Sequence, residues 1–427
     1  MSLSKQGTAR TRSWLRLPGV LLACLLLASP TPARGEEDWL QFRGPGGRSA
    51  NTARTPIDFG GEDKRNILWM QETAGRGVAS PVVVGSRVMV TGSGGEDERD
   101  LDVEAFDTDT GQRLWRRTFH ALGRPYTHPT SANAAPTPVS DGESIFALFS
   151  SCDLVSLGID GRLNWYRALA VDHPQTGNDV SMSSSPAVIE GVVLVQLENQ
   201  GDSFLAGIDA RTGRDLWQRP RPRRANWSSP LATTLPDGSN VFVVQSAESI
   251  QLIRPRDGEA LFEISLAGNS VASPVASGSF LLLPTDGLAL LDVRGKSPEI
   301  LYQSTRLQTR NASHVVAGDR VYACRGSVLV AGRLADGEVL WQQRLNNIRS
   351  VWATPVATAS GIYVFDQDGN VAIVRDNLND AEPSSEIIAQ LTIPGPVLAS
   401  PAVVGSAIYV RSENAVYKIM DPAVGGP

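Results

Sequence analysis

Short apolar runs separated by turn residues dominate the chain. Runs of about four to eight residues bounded by Gly, Ser, Asp or Thr predict β-strands, because helices need longer segments with a wider apolar period. The first complete unit predicts four strands, named A to D, joined by turns such as Gly85-Ser86 and Thr110-Gly111. These strands are Pro81 to Val84, Arg87 to Thr91, Val103 to Asp107 and Arg113 to Phe119.

The four-strand unit recurs from one end of the chain to the other. "SPVVVGS" begins at Ser80 and "SPAVVGS" begins at Ser400, and each opens an A-strand. Eight such starts are spaced about 46 residues apart, a period typical of a propeller or a solenoid. Seven are prolines, and a histidine stands where the sixth proline is due. The starts are Pro81, Pro138, Pro186, Pro230, Pro274, His314, Pro355 and Pro401.

The D-strands carry a second signature. In several units a glycine of the C–D turn is followed four residues later by an aromatic residue, as in Gly111 and Trp115. Glycine permits the positive φ of a tight turn, and the aromatic ring has the area to fill the gap between neighbouring sheets. The predicted docking aromatics are Trp69, Trp115, Trp165, Trp217, Phe262, Tyr302 and Trp341.

The two ends of the repeat array are complementary. A D-type segment at Ile67 to Met70 precedes the first A-strand, whereas the last unit stops at its third strand, Val416 to Ile419. We expect the N-terminal segment to complete the last unit, since closure protects free sheet edges. The predicted fold is all-β, an eight-bladed β-propeller of four-stranded antiparallel blades closed by an N-terminal strand. An open solenoid would leave the mismatched ends unexplained.

The first 35 residues predict a removable secretory signal peptide. A positive segment containing Arg10, Arg12 and Arg16 precedes an apolar stretch, Val20 to Ala28, that is too short for a bilayer span. We therefore expect no transmembrane segment, cleavage near Gly35 and a periplasmic or secreted protein. Lipidation of Cys24 is an alternative, because the residues before it resemble a lipoprotein box. We divide the remainder into an N-terminal extension at 36–64, one propeller at 65–420 and a tail at 421–427.

The net charge of the chain restricts the classes of partner that it can bind. The whole sequence has 39 Lys and Arg against 45 Asp and Glu, and the predicted signal removes five positive charges. A mature protein this acidic is a poor general ligand for nucleic acid. Cys152 and Cys324 then remain, which is too few for a disulfide scaffold, so stability must come from packing.

Three repeats resemble a known family. "AFDTDTGQRLW" (105–115), "GIDARTGRDLW" (207–217) and "GRLADGEVLW" (332–341) are similar to the tryptophan-docking repeats of PQQ-like β-propellers. That superfamily includes quinoprotein alcohol dehydrogenases and the assembly lipoprotein BamB. The leader "WLQFRGPGG" (39–47) resembles the opening of exported PQQ-like repeat proteins of planctomycetes. The resemblance implies how blades pack, whereas function must be argued from a site.

The face formed by the D–A connections and B–C turns is the expected functional face. Its D–A loops are long in places and carry the four histidines. The loop "QRPRPRRANW" (218–227) sets arginines beside a tryptophan, a composition enriched at interface hot spots, although a solvated loop is the plain alternative. An acidic turn, "GGEDERDLD" (94–102), lies on the same face. The candidate binding residues are Arg221, Arg223, Arg224, Trp227, His128, His173, His314, Arg349 and Trp352.

Two chemical alternatives compete with a binding scaffold. The resemblance implies a PQQ-dependent dehydrogenase with Ca²⁺, in which Trp227 or Trp352 would stack on the quinone and Arg223 or Arg349 would hold a carboxylate. The vicinal cysteine pair of the alcohol dehydrogenases is absent, and no calcium-ligand set can be placed on this sequence. Histidine spacing matches no zinc motif. We therefore expect no catalytic residue, metal or cofactor.

The sequence as a whole predicts an exported, non-catalytic scaffold, BamB-like by analogy, whose partner is another envelope or exported protein. His314, the histidine among the A-strand starts, provides a test at a single position. If His314 is purely structural, His314→Pro should be tolerated.

Overall fold

Thirty-two β-strands form eight sheets in a computed structural model, which describes residues 38–177, 181–377 and 382–423. The predicted signal peptide and Cys24 lie outside the described residues. The strands, in chain order, are β1 (Ile67–Glu72), β2 (Val82–Val84), β3 (Arg87–Gly94), β4 (Asp100–Asp107), β5 (Arg113–His120), β6 (Val139–Ser140), β7 (Ser144–Leu148), β8 (Asp153–Gly158), β9 (Leu163–Ala168), β10 (Ala187–Ile189), β11 (Val192–Leu197), β12 (Phe204–Asp209), β13 (Asp215–Pro220), β14 (Leu231–Thr234), β15 (Asn240–Gln245), β16 (Ile250–Ile253), β17 (Ala260–Ile264), β18 (Val275–Ser277), β19 (Phe280–Pro284), β20 (Leu288–Asp292), β21 (Glu299–Ser304), β22 (Val315–Ala317), β23 (Arg320–Arg325), β24 (Val328–Arg333), β25 (Val339–Arg344), β26 (Val356–Thr358), β27 (Gly361–Phe365), β28 (Asn370–Asn377), β29 (Ser384–Thr392), β30 (Ala402–Val404), β31 (Ala407–Arg411) and β32 (Ala415–Ile419).

Helix is scarce in the described part of the chain. It consists of one short α-helix and three single-turn 3₁₀ helices, namely α1 (Leu169–Asp172), η1 (Pro45–Gly47), η2 (Glu96–Glu98) and η3 (Thr305–Leu307). None of these helices is long and apolar enough to cross a membrane.

Each sheet is a blade of four antiparallel strands, so the predicted eight-bladed β-propeller is confirmed. Blades 1 to 7 are built from consecutive strands, β2–β5, β6–β9, β10–β13, β14–β17, β18–β21, β22–β25 and β26–β29. Blade 8 contains β30, β31, β32 and the N-terminal β1, which pairs antiparallel with β32 through Trp69 and Lys418. The predicted N-terminal closure is therefore confirmed, and no blade is left one strand short.

Burial falls from the axis to the rim. Strands A to C are almost entirely buried because sheets face them on both sides, which explains their continuous apolar runs. In blade 1, β2 is buried throughout, whereas the outermost strand, β5, is largely exposed. The core thus consists of the layers between adjacent blades, such as the layer that joins blades 7, 8 and 1.

The docking aromatics connect each blade to the next near the rim. The Trp69 ring of blade 8 covers Gly111 in the C–D turn of blade 1, and its Nε1 donates to the Thr108 carbonyl at 3.0 Å. A Cβ on Gly111 would lie 2.7 Å from that ring, so glycine is required there by its neighbour as well as by its positive φ. The same ring-to-turn hydrogen bond recurs for Trp115, Trp165, Trp217 and Tyr302.

We call the contact between two adjacent blades a seam. Three of the eight seams depart from this pattern at their outer ends. Trp341 donates its Nε1 to the Asp376 carboxylate at 2.9 Å, where the other rings use a backbone carbonyl. Phe262 has no donor and only packs, half-buried, against the core of blades 4 and 5. The described D-strand of blade 7, β29, has no aromatic residue. The contacts between D-strand aromatics and C–D turns therefore differ from one seam to another.

The N-terminal leader, residues 38–55, runs through the centre of the ring. Trp39 exchanges two backbone hydrogen bonds with Val83, near the end of an A-strand, whereas Arg43 reaches carbonyls at the start of another. Because all A-strands run in one direction, the leader enters from the A–B side and climbs towards the D–A side. It then descends, and Asn51 donates its backbone N–H to the Ala357 carbonyl and its side-chain amide to the Val403 carbonyl.

The leader contacts the inner strands of seven blades. Its backbone and side chains bond to residues in or just before β2, β6, β18, β22, β26 and β30, and η1 lies against β14 and β18. Gly44 allows the tight bend, since a Cβ there would lie 2.7 Å from the Trp39 ring. The sequence "WLQFRGPGG" is thus a plug for the central channel.

Candidate functional site

A cavity of about 460 Å³ opens on the axis at the D–A face, above the tip of the leader. This volume falls in the range of small-ligand sites. Its lining combines hydroxyl residues with aromatic and small apolar ones: Phe42, Val78, Ser80, His128, Thr130, Ser131, Ala135, Thr137, Ser181, Ser183, Ser185, Trp227, Ser229, Val271, Ser273, Asn311, Trp352, Leu398 and Ser400.

A closed circle of hydrogen bonds surrounds the cavity. The residue before each A-strand start is Ser or Thr, and the backbone N–H of each one donates to the hydroxyl oxygen of its counterpart in the next blade. The circle ends where Ser400 donates to the Ser80 hydroxyl at 3.0 Å. All eight distances lie between 2.9 and 3.1 Å. The members of this hydroxyl ring are Ser80, Thr137, Ser185, Ser229, Ser273, Ser313, Thr354 and Ser400.

The hydroxyl ring explains the Ser/Thr-Pro ladder of the sequence. Its side chains are at most 4% exposed, and each of its backbone N–H groups would otherwise be a buried donor without a partner. The sequence pattern indicates where A-strands begin, but it does not reveal that the preceding hydroxyls join the blades. The recurrence of Ser or Thr before all eight anchors was the available signal.

The floor of the cavity comes from the leader. Phe42 lines the cavity, and the adjacent Arg43 lies buried with its guanidinium carbon 4.9 Å from the Phe42 ring centre. Arg43 donates to the carbonyls of Gly47, Ser273 and Pro274, at 3.0, 3.3 and 2.8 Å. Burial lowers the pKa of Arg43 to about 9, so it stays charged at neutral pH.

Three of the predicted loop-face residues meet at the cavity. Trp227 donates its Nε1 to the Ser181 carbonyl at 2.9 Å, which fixes its ring on the rim. Trp352 is 42% exposed, and His128 is exposed with its Nδ1 2.8 Å from the Thr130 hydroxyl. These side chains come from D–A connections of different blades, and the fold brings them to one mouth.

The predicted arginines of the third D–A connection separate into two kinds. Arg221 is buried, forms an ion pair with Glu198 and donates to the Gln251 side chain at 2.8 Å. Glu198 also accepts from Asn226 at 2.8 Å, and burial raises the pKa of Glu198. Arg221 therefore anchors the loop, whereas Arg223 and Arg224 are exposed.

The other predicted residues lie outside the cavity lining. His173 packs its ring 4.3 Å from the Phe204 ring, and Arg349 is exposed. His314 is fully buried, with its Nε2 2.7 Å from the Leu307 carbonyl. Burial, with the nearby charge of Arg43, lowers the pKa of His314 to about 4.

Part of the acidic turn of blade 1 is neutralised by ion pairs within the fold. Glu98 pairs with Arg76 at 2.9 Å and Asp102 pairs with Arg116 at 2.8 Å. Glu98 also accepts from the backbone N–H of Asn133 in the next D–A connection. Glu98 thus positions a loop, whereas Glu96 and Asp97 of the same turn are exposed.

A calcium-bound quinone does not fit the cavity residues. Calcium is held by carboxylate and carbonyl oxygens, yet no Asp or Glu is among the described residues that line the cavity. Within the ranges that the structure describes, no group of three His, Cys, Asp or Glu could hold a metal ion. Cys152 and Cys324 are free and buried, and burial raises the pKa of each thiol to about 12.

The fold and its axial cavity define a closed eight-bladed propeller of the PQQ-like type. The family model described as "Outer membrane protein assembly factor BamB" matches residues 61–220 and 175–281, more than half of the chain. The protein therefore belongs to this family of PQQ-like β-propellers.

Individual relatives agree with this assignment. BamB of Moranella endobia (strain PCIT) is 22% identical over 194 residues, which cover 40% of this chain and 49% of the relative. The chain spans about half the length of the curated relatives it matches.

Solved structures of low identity share the fold. BamB from Moraxella catarrhalis superposes with a TM-score of 0.63 at 16% identity, covering 84% of this chain and 99% of that one. A europium-containing methanol dehydrogenase superposes with a TM-score of 0.64 at 12% identity, covering 88% and 89%. An assembly factor and a dehydrogenase are thus equally similar to this chain in backbone, so the fold alone does not separate their functions.

Proposed function

We propose that this protein is a non-catalytic scaffold that captures another envelope or exported protein on its D–A face. The observation that carries the proposal is the loop 218–227, where exposed Arg223 and Arg224 stand beside Trp227 at the mouth of the cavity. Arginine and tryptophan are enriched at the energetic centres of interfaces. An acidic or mixed polypeptide surface is the partner chemistry that this loop favours.

The anchoring of the loop supports the proposal. Arg221, Glu198 and Asn226 hold its base, and the Trp227 indole is fixed by a hydrogen bond, so little conformational entropy remains to be lost on binding. In the part of the chain that the structure describes, Arg223 and Arg224 have no carboxylate partner. Their charge is therefore available to an incoming protein.

Charge reversal at the loop tests the proposal. We expect Arg223→Glu with Arg224→Glu to abolish partner capture from an extract of the source envelope, measured by affinity purification and mass spectrometry, without lowering the melting temperature. The matched control reverses Arg211 and Arg214, two arginines of the C–D turn of the same blade on the opposite face. Equal capture by both double variants would refute the proposal.

Export is part of the same proposal. The positive and apolar segments of residues 1–35 support secretion, and relatives named as outer membrane assembly factors support an envelope location. We expect the N-terminus of the protein recovered from its native host to begin at Glu36. A mass increment from lipid on Cys24 would instead establish the anchored alternative.

The dehydrogenase alternative has a direct test. Because the cavity lining has no carboxylate for a cation among the residues that the structure describes, we expect neither a stoichiometric complex with PQQ and Ca²⁺ nor dye-coupled alcohol oxidation. A red-shifted complex with turnover would replace the scaffold proposal.

A further inference from the structure

We propose that the axial cavity is a binding site for a carboxylate group, received by the hydroxyl ring above the buried Arg43, with an apolar body between Trp227 and Trp352. This site goes beyond partner capture, because the groups that would hold the carboxylate, the hydroxyl ring and Arg43, lie inside the ring. It stands or falls independently of Arg223 and Arg224.

The hydroxyl ring supplies donors that the fold does not use. Each hydroxyl oxygen already accepts a backbone N–H, and no acceptor for any of the eight hydroxyl hydrogens occurs among the described residues. Six of the eight hydroxyls line the cavity, at Ser80, Thr137, Ser185, Ser229, Ser273 and Ser400. All are more than nine-tenths buried, where an unused donor carries a free-energy cost. A bound oxyanion would accept several of these hydrogens at once.

Arg43 supplies a positive charge that the fold does not neutralise. Its guanidinium contacts three carbonyls and no described carboxylate, and its Nε has no partner. Arg43 lies directly behind the cavity lining, since its neighbour Phe42 lines the cavity and its guanidinium donates to the carbonyl of Ser273, another lining residue. An isolated buried charge attracts an anion strongly because water screens it little.

The remaining lining selects the kind of anion. Besides the hydroxyls, it offers the rings of Phe42, Trp227 and Trp352 and the apolar side chains of Val78, Val271 and Leu398, so an apolar or aromatic body fits. Among the described residues at the cavity, the buried donors are neutral hydroxyls and the single guanidinium of Arg43. A single negative charge is therefore matched, whereas a doubly charged phosphate would bring a second charge into a buried site without a partner.

A carboxylate of this kind has two sources, a small organic acid or the C-terminus of a polypeptide. Both present the same planar anion next to an apolar body. The mouth of the cavity faces the D–A loops, so either could enter from that side.

The binding test compares acids with their amides on the purified mature chain, followed by calorimetry and ligand-observed NMR. The probes are benzoate against benzamide, and Gly-Gly-Phe with a free against an amidated C-terminus. We expect the free acid of at least one pair to bind at least tenfold more tightly than its amide. Tighter binding of benzoate identifies small acids, and binding of the peptide alone identifies chain ends. Equal affinities within both pairs, or no binding, would overturn the proposal.

Two threonines of the hydroxyl ring provide matched variants. Thr137→Val and Thr354→Val each remove one ring hydrogen bond without changing side-chain volume much, but only Thr137 lines the cavity. We expect similar losses of stability, with carboxylate affinity reduced severalfold by Thr137→Val alone. Equal affinities in the two variants would show that the ring is merely structural.

Arg43→Gln tests the charge. It keeps a hydrogen-bond donor but removes the cation, so we expect acid and amide to bind alike. If this variant does not fold, the threonine pair still decides the question.

Discussion

The seam between two blades is held by different chemistry at its inner and outer ends. Near the axis, a hydroxyl accepts a backbone N–H from the neighbouring blade, and all eight seams have this bond. Near the rim, an aromatic ring covers the next C–D turn, and this contact is altered or missing at three seams. The inner contact sets the spacing between blades, and it must be the same at every seam for the ring to close. The outer contact contributes buried area, which a blade can also gain from a different hydrogen bond or from packing alone.

The largest expected effect is at the rim. Trp165→Ala removes a buried ring and its hydrogen bond to the Ala210 carbonyl, so we expect a loss of about 4 kcal/mol in the free energy of unfolding. Phe262→Ala, at a seam without that bond, should lose clearly less. Urea denaturation measures both, and equal losses would remove the distinction between complete and incomplete seams.

His314 makes the next largest contribution, and it depends on pH. Its pKa is about 4 in the folded protein and 6.5 ordinarily, so the unfolded chain takes up a proton that the folded chain resists. The contribution of neutral His314 to the free energy of unfolding is fully present above pH 6.5. It falls by about 3 kcal/mol as the pH drops towards 4.

Melting temperatures between pH 4 and 7 test the contribution of His314. His314→Gln keeps a side chain that can hydrogen-bond but does not titrate, so the variant should lose less stability than the wild type over this interval. If the melting temperatures of the wild type and the variant fall in parallel with pH, groups other than His314 cause the acid sensitivity.

The smallest of these effects belongs to a single hydroxyl of the inner ring. Thr354→Val leaves the buried N–H of Ser313 without an acceptor, which should cost about 2 kcal/mol. Thr354→Ser keeps the hydroxyl and is the control. A loss larger than that of Trp165→Ala would reverse the roles assigned here to axis and rim.

Most of the fold follows from the repeated sequence. A strand that is unclear in one repeat can be assigned from the other copies of the pattern. The D-type segment around Trp69, together with the short last unit, predicts that an N-terminal strand closes the ring. The docking residue Phe262 and the unmatched β29 show where the pattern weakens. A single four-strand unit would not have supported the same conclusion.

The site was less accessible to prediction because it depends on contacts between distant residues. Nothing local distinguishes Arg221, which is buried against Glu198, from its exposed neighbours Arg223 and Arg224. The sequence predicts only an N-terminal extension for the leader, since no local feature of Arg43 reveals that it meets Ser273.

His314 illustrates the same limit at one position. A proline fits its place in the ladder, but the imidazole bonds to the Leu307 carbonyl across a buried gap. A proline would leave that carbonyl without the bond and open a small cavity. We therefore now expect His314→Pro to destabilise the fold.

The central plug also fixes an order of events during synthesis. Residues of the leader are made before those of any blade, yet Ser49 and Asn51 donate hydrogen bonds to Pro355 and Val403, which are made about 300 to 350 residues later. Contacts so distant in sequence form late and slowly. The leader thus emerges from the ribosome before every blade, yet it cannot complete its contacts until the final blade exists.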